Sequence, residues 1–177
     1  VDLSDMKDSD RSTIDVQERY IGVDIFRKKF VHGEINLLDR SFVSVSAHVY
    51  ALFRLGIEDI RKNYLDLLRK KVSEILIPDR FVFVCCDYDT SQKRCVSVNN
   101  DKKADALLLS REYFECIAKF NEKWISMVNG YMIETQSGFT REWLFCVQKE
   151  VFKKTLSKQL DTTMIFQLIC ACMESPL

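Results

Sequence analysis

Apolar residues recur along most of this chain at steps of three and four positions, the spacing of one face of a helix. Between these stretches lie short runs that are apolar at nearly every position, as in buried strands. The helical pattern covers residues 13–29, 42–56, 57–75, 110–127, 139–156 and 162–172, and the strand pattern covers 35–38, 81–86 and 131–135. Strands that alternate with helices predict an α/β layered domain with a parallel sheet.

The run at residues 81–86 is β-branched, aromatic or cysteine throughout, so we expect a strand that is buried on both faces. The chain has 177 residues, two prolines, five glycines and no internal repeat. It shows no linker between domains, and its length suits one hydrophobic core. We therefore predict a single domain that covers residues 1–177.

Composition excludes several classes of function. The chain is 47% hydrophobic and 29% charged, which is ordinary for a globular protein. Its 26 basic and 26 acidic residues cancel, so no overall field favours a nucleic acid or an anionic membrane. The apolar runs are shorter than the roughly 18 residues of a membrane span, and residues 1–5 do not resemble a signal peptide.

Cysteine and histidine usage points to a reducing compartment without a zinc site. The seven cysteines are odd in number, include no Cys-x-x-Cys pair and lie mostly inside apolar runs. They are expected to be reduced core thiols of a cytoplasmic protein. The two histidines, His32 and His48, have no cysteine or carboxylate at the spacing of zinc ligands.

Charged residues follow the first predicted strand directly. Asp39 and Arg40 come after the apolar run at 35–38, and the helical pattern resumes at Phe42. In open α/β sheets, ligands bind at the carboxyl ends of the strands. Arginine can bind two phosphate oxygens at once, and aspartate can hold a water bound to magnesium. A phosphate site is therefore one interpretation, and a surface ion pair at a strand end is the other.

A polar insertion at about residues 91–108 interrupts the apolar pattern and includes Lys93 and Arg94. The order of these features resembles the thymidylate kinase and deoxynucleoside kinase branch of the P-loop nucleotide kinases. The resemblance covers residues 18–135, about two thirds of the chain. The segments that carry it are Leu37-Leu-Asp-Arg-Ser41, Pro78-Asp-Arg-Phe-Val-Phe-Val84 with Lys93-Arg94 beyond it, and Ser110-Arg-Glu-Tyr-Phe114 running to Asn121-Glu-Lys-Trp124.

The resemblance implies a three-layer P-loop kinase fold and a homodimer. It also implies transfer of phosphate from ATP, with Mg²⁺, to a nucleoside or nucleoside monophosphate. Asp39 would lie near the magnesium or act as the base, and Arg40 would lie beside the acceptor and the phosphates. Arg94 and Lys93 would lie at the start of a flexible lid, whose positive charge stabilises the transferred phosphoryl group. Ser41, Arg111 and Glu112 are further candidates for substrate binding.

One part of the family pattern is missing from the 177 residues. They contain no Gly-x-x-x-x-Gly-Lys-Ser/Thr sequence, the loop that binds the nucleotide phosphates. Either this loop and its central strand precede Val1, or the chain is a kinase-like remnant. Loss of a central strand would leave two strand edges unpaired, which favours the first alternative. The second predicts an inactive interaction module that dimerises through the helices at 57–75 and 162–172.

Overall fold

The computed structural model describes residues 14–32, 36, 38–98, 110–135 and 160–174, and only the backbone at 95–98. The chain divides into two compact units. Unit 1 comprises Val1–Ile77 and Asp161–Leu177, and unit 2 comprises Pro78–Leu160. The prediction of one domain stays a prediction. In the described part of the chain, no helix is both long and apolar enough to cross a membrane.

The described elements mix helices with one small parallel sheet. In chain order they are α1 (Ile14–Arg27) with a short 3-10 helix (Lys28–Phe30), α2 (Phe42–Arg54), α3 (Arg61–Lys71), β1 (Val82–Cys85), α4 (Tyr88–Val98), α5 (Arg111–Met127), β2 (Tyr131–Glu134) and α6 (Thr162–Met173). The helices predicted at 42–56, 110–127 and 162–172 and the strands at 81–86 and 131–135 are confirmed within a few residues. The helix predicted at 139–156 lies outside the described residues.

Unit 1 is helical in its described part, and α2 forms its centre. Phe42, Val49 and Leu52 of α2 are completely buried, because apolar residues occupy most sides of this helix. Both α3 and α6 pack against α2 and against each other. Ile165 and Ile169 of α6 are buried. Helix α6 therefore buries part of its apolar surface inside unit 1.

A buried polar network fixes the start of α2. The hydroxyl of Tyr64, on α3, lies 2.8 Å from the hydroxyl of Ser46 and donates to the carbonyl of Phe42 at 3.2 Å. Ser46 donates to the same carbonyl at 2.9 Å. Burial raises the pKa of Tyr64, so the phenol stays protonated and available as a donor. The first turn of α2 is thus held in place by α3.

Unit 2 contains the parallel sheet. Strands β1 and β2 pair in parallel, with Val82 beside Tyr131 and Cys85 beside Glu134. Helix α5 packs on both strands, and its Trp124 meets the ring of Phe81 edge-on at 5.2 Å. This arrangement agrees with the predicted parallel α/β pattern at the level of one strand pair.

Strand β1 is less covered than its apolar sequence predicts. Val82 is 43% exposed and Val84 is 52% exposed. Residues of β1 alternate between exposed and half-buried, so the expectation of burial on both faces is wrong. Met132 on β2 is also exposed. The two described strands and their helices therefore leave apolar surface of the sheet open to solvent.

Helix α3 is shorter than the predicted helix at 57–75, and its start is delayed by the end of α2. Gly56 has a φ of 65°, the left-handed conformation in which glycine ends helices. The amides of Ile57 and Glu58 then donate back to the carbonyl of Leu52. Because residues 57 and 58 complete the end of α2, α3 begins only at Arg61.

The described residues differ from two further predictions. The strand predicted at 35–38 is not present at Asn36 or Leu38, which lie in irregular structure, and the other two positions lie outside the described residues. The insertion predicted from residue 91 begins later, because residues 91–98 belong to α4. Asp87 explains this helix, since it accepts hydrogen bonds from the amide and hydroxyl of Thr90 at 2.8 and 2.7 Å.

Substitution by alanine is expected to have opposite effects on stability at two glycines. A Cβ on Gly130 would lie 2.8 Å from the carbonyl oxygen of Phe81 and 2.7 Å from Ile125 Cδ1. Gly130→Ala should therefore lower the free energy of unfolding by about 1 to 3 kcal/mol, measured by urea denaturation. Gly22 lies in α1 with open space at its Cβ, so Gly22→Ala should raise stability by up to about 1 kcal/mol. Equal effects of the two substitutions would contradict this account.

Candidate functional site

The segment Asp39–Arg40–Ser41, here called the Arg40 bend, leads into α2. Arg40 has a φ of 60°, a left-handed conformation that is unfavourable for residues other than glycine. Asp39 and Arg40 are exposed. The Ser41 hydroxyl accepts a hydrogen bond from the amide of Val43 at 3.3 Å, so Ser41 caps α2. The bend thus presents two charged side chains to solvent at the start of the central helix of unit 1.

Residues of α1 hold the Arg40 bend. Nη1 of Arg27 donates to the backbone carbonyl of Arg40 at 2.9 Å and to Oδ1 of Asp24 at 3.1 Å. Asp24 is 5% exposed. Burial raises the pKa of Asp24, while the amide of Phe42 and the charge of Arg27 act in the opposite direction. The bend is therefore tied to α1 through its backbone.

The pKa of Asp24 predicts how stability depends on pH. A carboxyl whose pKa is raised in the folded state stabilises the fold most fully below its unfolded pKa, and that contribution is lost as the pH rises through the folded pKa. Relative to Asp24→Asn, the wild-type chain should therefore lose stability as the pH rises from about 3.9, the ordinary aspartate pKa, toward neutral. Urea denaturation of both chains over this range measures the difference.

Asp59 provides a control of opposite sign for this pH experiment. Its hydrogen bond to Arg61 lowers its pKa, so its contribution is present above its unfolded pKa and is lost as the pH falls. The difference in stability between the wild type and Asp59→Asn should therefore rise with pH. A difference between the wild type and Asp24→Asn that also rises with pH would contradict the raised pKa of Asp24.

A second group of polar residues lies where the parallel strands end. Thr135, directly after β2, is 4% exposed and donates its hydroxyl to the carbonyl of Cys85, the last residue of β1. Nη1 of Arg94, on α4, donates to the Thr135 hydroxyl oxygen at 3.1 Å. Asp87 follows β1 and caps α4. We call Asp87, Arg94 and Thr135 the strand-end cluster. It places a guanidinium at the carboxyl ends of both described strands.

Arg111 and Glu112 lie at the start of α5, and Lys93 is exposed on α4. Nη2 of Arg111 is 3.5 Å from Oδ1 of Asp89, and its guanidinium lies 4.5 Å from the centre of the Tyr88 ring. Glu112 accepts a hydrogen bond from the Ser110 hydroxyl at 2.8 Å. The hydrogen bond of Glu112 therefore belongs to the capping of α5. Arg111 instead contacts the first turn of α4.

The structure groups the predicted site residues by unit. Asp39, Arg40 and Ser41 are consecutive in unit 1, whereas Lys93, Arg94, Arg111 and Glu112 belong to unit 2. Sequence reasoning did not select Asp24, Arg27 or Thr135. The spacing of Asp24 and Arg27, three positions apart on a predicted helix, was a visible signal for an ion pair. The position of Thr135, directly after a predicted strand, was a second signal.

Asp39 is the predicted magnesium ligand, and its carboxylate is exposed. The described residues include no group of three or more histidine, cysteine, aspartate or glutamate side chains that could hold a metal ion. Magnesium in nucleotide-dependent enzymes is often held by one or two carboxylates together with substrate phosphates and water. Asp39 fits that limited role, since it can supply one oxygen ligand.

Known proteins offer no independent assignment of this arrangement. Comparisons of the chain with protein-family models, with curated proteins and with solved structures gave no match.

Proposed function

We propose that the protein is an ATP-dependent phosphotransferase that acts on a nucleoside or a nucleoside monophosphate. In this proposal it has the three-layer α/β fold of the P-loop nucleotide kinases and works with Mg²⁺ as a cytoplasmic homodimer. Arg40 and Arg94 bind phosphate groups, and Asp39 acts as a base or holds a water on the magnesium. Lys93, Ser41, Arg111 and Glu112 contribute to the substrate sites.

The observation that best supports this proposal is the position of Arg94. Its guanidinium is bound to Thr135, and Thr135 joins the carboxyl ends of two adjacent parallel strands. Ligands of open α/β sheets bind at this end of the strands. A fixed guanidinium is suited to phosphoryl transfer, because the reaction is accelerated by positive charge positioned at the phosphoryl oxygens. Placement of Arg94 on a helix makes it a fixed group in this proposal.

Arg40 supports the same chemistry in unit 1. Its side chain is exposed while its backbone is held in a left-handed conformation. Strained backbone persists where its surroundings maintain it, and such positions are common at ligand sites. A guanidinium there can bind a phosphate through two parallel hydrogen bonds. The 177 residues still contain no Gly-x-x-x-x-Gly-Lys-Ser/Thr loop, so ATP binding is the most demanding part of the proposal.

The proposal is tested by phosphoryl transfer in solution. The full chain is incubated with ATP, Mg²⁺ and each member of a panel of nucleosides and nucleoside monophosphates, and products are identified by mass spectrometry. We expect one acceptor, or a few of related structure, to gain one phosphate. Arg94→Ala should lower turnover, whereas Arg69→Ala should not, because Arg69 is an exposed arginine of α3.

Absence of product with every acceptor, together with no nucleotide binding by calorimetry, would overturn the kinase proposal. The interaction-module alternative would then predict a dimer by analytical ultracentrifugation. The two helices predicted to form that dimer are already partly buried within unit 1. Leu68 of α3 and Ile169 of α6 are examples of their buried residues. A dimer through these helices therefore has to use their remaining, partly exposed faces.

A further inference from the structure

One nitrogen of Arg27 connects two parts of unit 1. Nη1 donates both to Oδ1 of Asp24 at 3.1 Å and to the backbone carbonyl of Arg40 at 2.9 Å. Asp24 precedes Arg27 by three residues on α1, so the two side chains lie on the same face of that helix. The contact with Arg40 spans 13 positions of the chain. It therefore depends on the tertiary arrangement of α1 and the Arg40 bend.

Asp24 restricts where the guanidinium of Arg27 can lie. The side chain of Asp24 is 6% exposed, whereas that of Arg27 is 34% exposed. A hydrogen bond between two charged groups is strong and directional, so the buried carboxylate fixes the more exposed guanidinium. The amide of Phe42 also interacts with Asp24. Arg27 thus holds the backbone just before Ser41, and Asp24 holds Arg27.

The backbone of Arg40 is held in place, whereas its side chain is exposed to solvent. The backbone has a φ of 60° and is held by Arg27. The side chain is exposed and forms no hydrogen bond or ion pair with another described residue. Fixing an unfavourable backbone costs free energy, so a purely structural turn is expected to carry glycine or asparagine at this position. Arginine there indicates a use for its side chain.

We propose that Arg27, oriented by Asp24, positions Arg40 so that its guanidinium binds a phosphate group of the nucleotide. This inference rests on the proposed function and identifies two residues that act through a third. Arg27 is a positioning residue because it contacts the backbone of the bend, and Asp24 is one because it holds Arg27. Arg40 is the residue that contacts the ligand.

A purely structural role of Arg27 has to be distinguished from positioning, because loss of Arg27 also removes a link between α1 and the Arg40 bend. The two roles differ in how Arg27 and Arg40 combine. If Arg27 acts through the Arg40 side chain, its loss has no further effect on ligand binding once that side chain is absent. If it only stabilises the fold, its effects on binding and on stability are independent of residue 40.

The experiment is a double-mutant cycle on the full chain. Wild type, Arg27→Met, Arg40→Gly and the double variant are titrated by calorimetry with thymidine monophosphate and with pyrophosphate. Arg27→Met should weaken binding about tenfold or more, as expected for loss of a charge-assisted hydrogen bond. The double variant should bind as weakly as Arg40→Gly. Arg61→Met is the matched control, because Arg61 pairs with the exposed Asp59 in the same unit.

Additive losses of binding in the double variant, or unchanged binding by Arg27→Met, would overturn the inference. If the wild type binds neither probe, the proposed function fails. Trypsin then tests the positioning step separately, because it cleaves after Arg40 only when the bend opens. Cleavage there should be about tenfold faster in Arg27→Met than in the wild type. Equal cleavage rates would show that Arg27 does not hold the bend.

Discussion

Arg40→Gly is expected to abolish most activity without destabilising the chain. The glycine variant removes the guanidinium that we propose binds the phosphates, and loss of such a positioned charge lowers turnover by about 100- to 1,000-fold. It also relieves the left-handed backbone at position 40. Its free energy of unfolding should therefore exceed that of Arg40→Ala by about 0.5 to 1 kcal/mol. Steady-state kinetics and urea denaturation measure the two effects.

The comparison with alanine separates a site residue from a structural one. Arg40→Ala should lose activity as fully as Arg40→Gly while its stability remains close to that of the wild type, since alanine has the same backbone strain as arginine. Arg69→Ala controls for removal of an arginine side chain from unit 1. A loss of melting temperature that matches the loss of activity in Arg40→Ala would argue against a direct role in catalysis.

Trp124→Ala should produce the largest loss of stability in unit 2. Trp124 is 1% exposed and packs edge-on against Phe81, the residue before β1. Removal of a buried tryptophan leaves a cavity between α5 and the strand pair. The expected loss is about 3 to 5 kcal/mol in the free energy of unfolding, measured by circular dichroism in urea.

Trp124→Phe is the matched control for this cavity. Phenylalanine retains an aromatic ring that can still contact Phe81, so its loss should be smaller than that of alanine. Similar losses for both substitutions would mean that the contact with Phe81 contributes little. In that case the stability of unit 2 would depend on other contacts of α5.

Local patterns were sufficient to predict much of the fold. The spacing of Phe42, Val45 and Val49 predicted α2, because burial of one helical face is a property of neighbouring positions. Apolar runs likewise predicted β1 and β2. The same patterns overestimated the burial of Val84, since sequence does not show how many layers cover a strand. They also assigned residues 91–98 to the insertion, whereas these residues belong to a helix that Asp87 caps.

The candidate site was predictable only in part, because its contacts join distant residues. Arg40 was predicted because it follows an apolar run, and Arg94 because it lies in the polar insertion that resembles the kinase lid. The partner of Arg94 is Thr135, 41 positions later, and the bond forms only because β1 and β2 are adjacent. Arg27 reaches a backbone carbonyl, which every residue has and which therefore leaves no trace in the sequence. Positioning contacts of this kind require coordinates.

The pairing of β1 with β2 predicts which backbone amides of the sheet exchange rapidly with solvent. Tyr131 and Thr135 donate their amides to carbonyls at 81 and 85, so alternation directs the amides of Met132 and Glu134 away from β1. The amides of Val82 and Val84 point away from β2 for the same reason. In a sheet of two strands these outward amides exchange with solvent rapidly. Slow deuterium uptake at Val82 and Val84 would instead reveal a third strand beside β1, and slow uptake at Met132 and Glu134 a third strand beside β2.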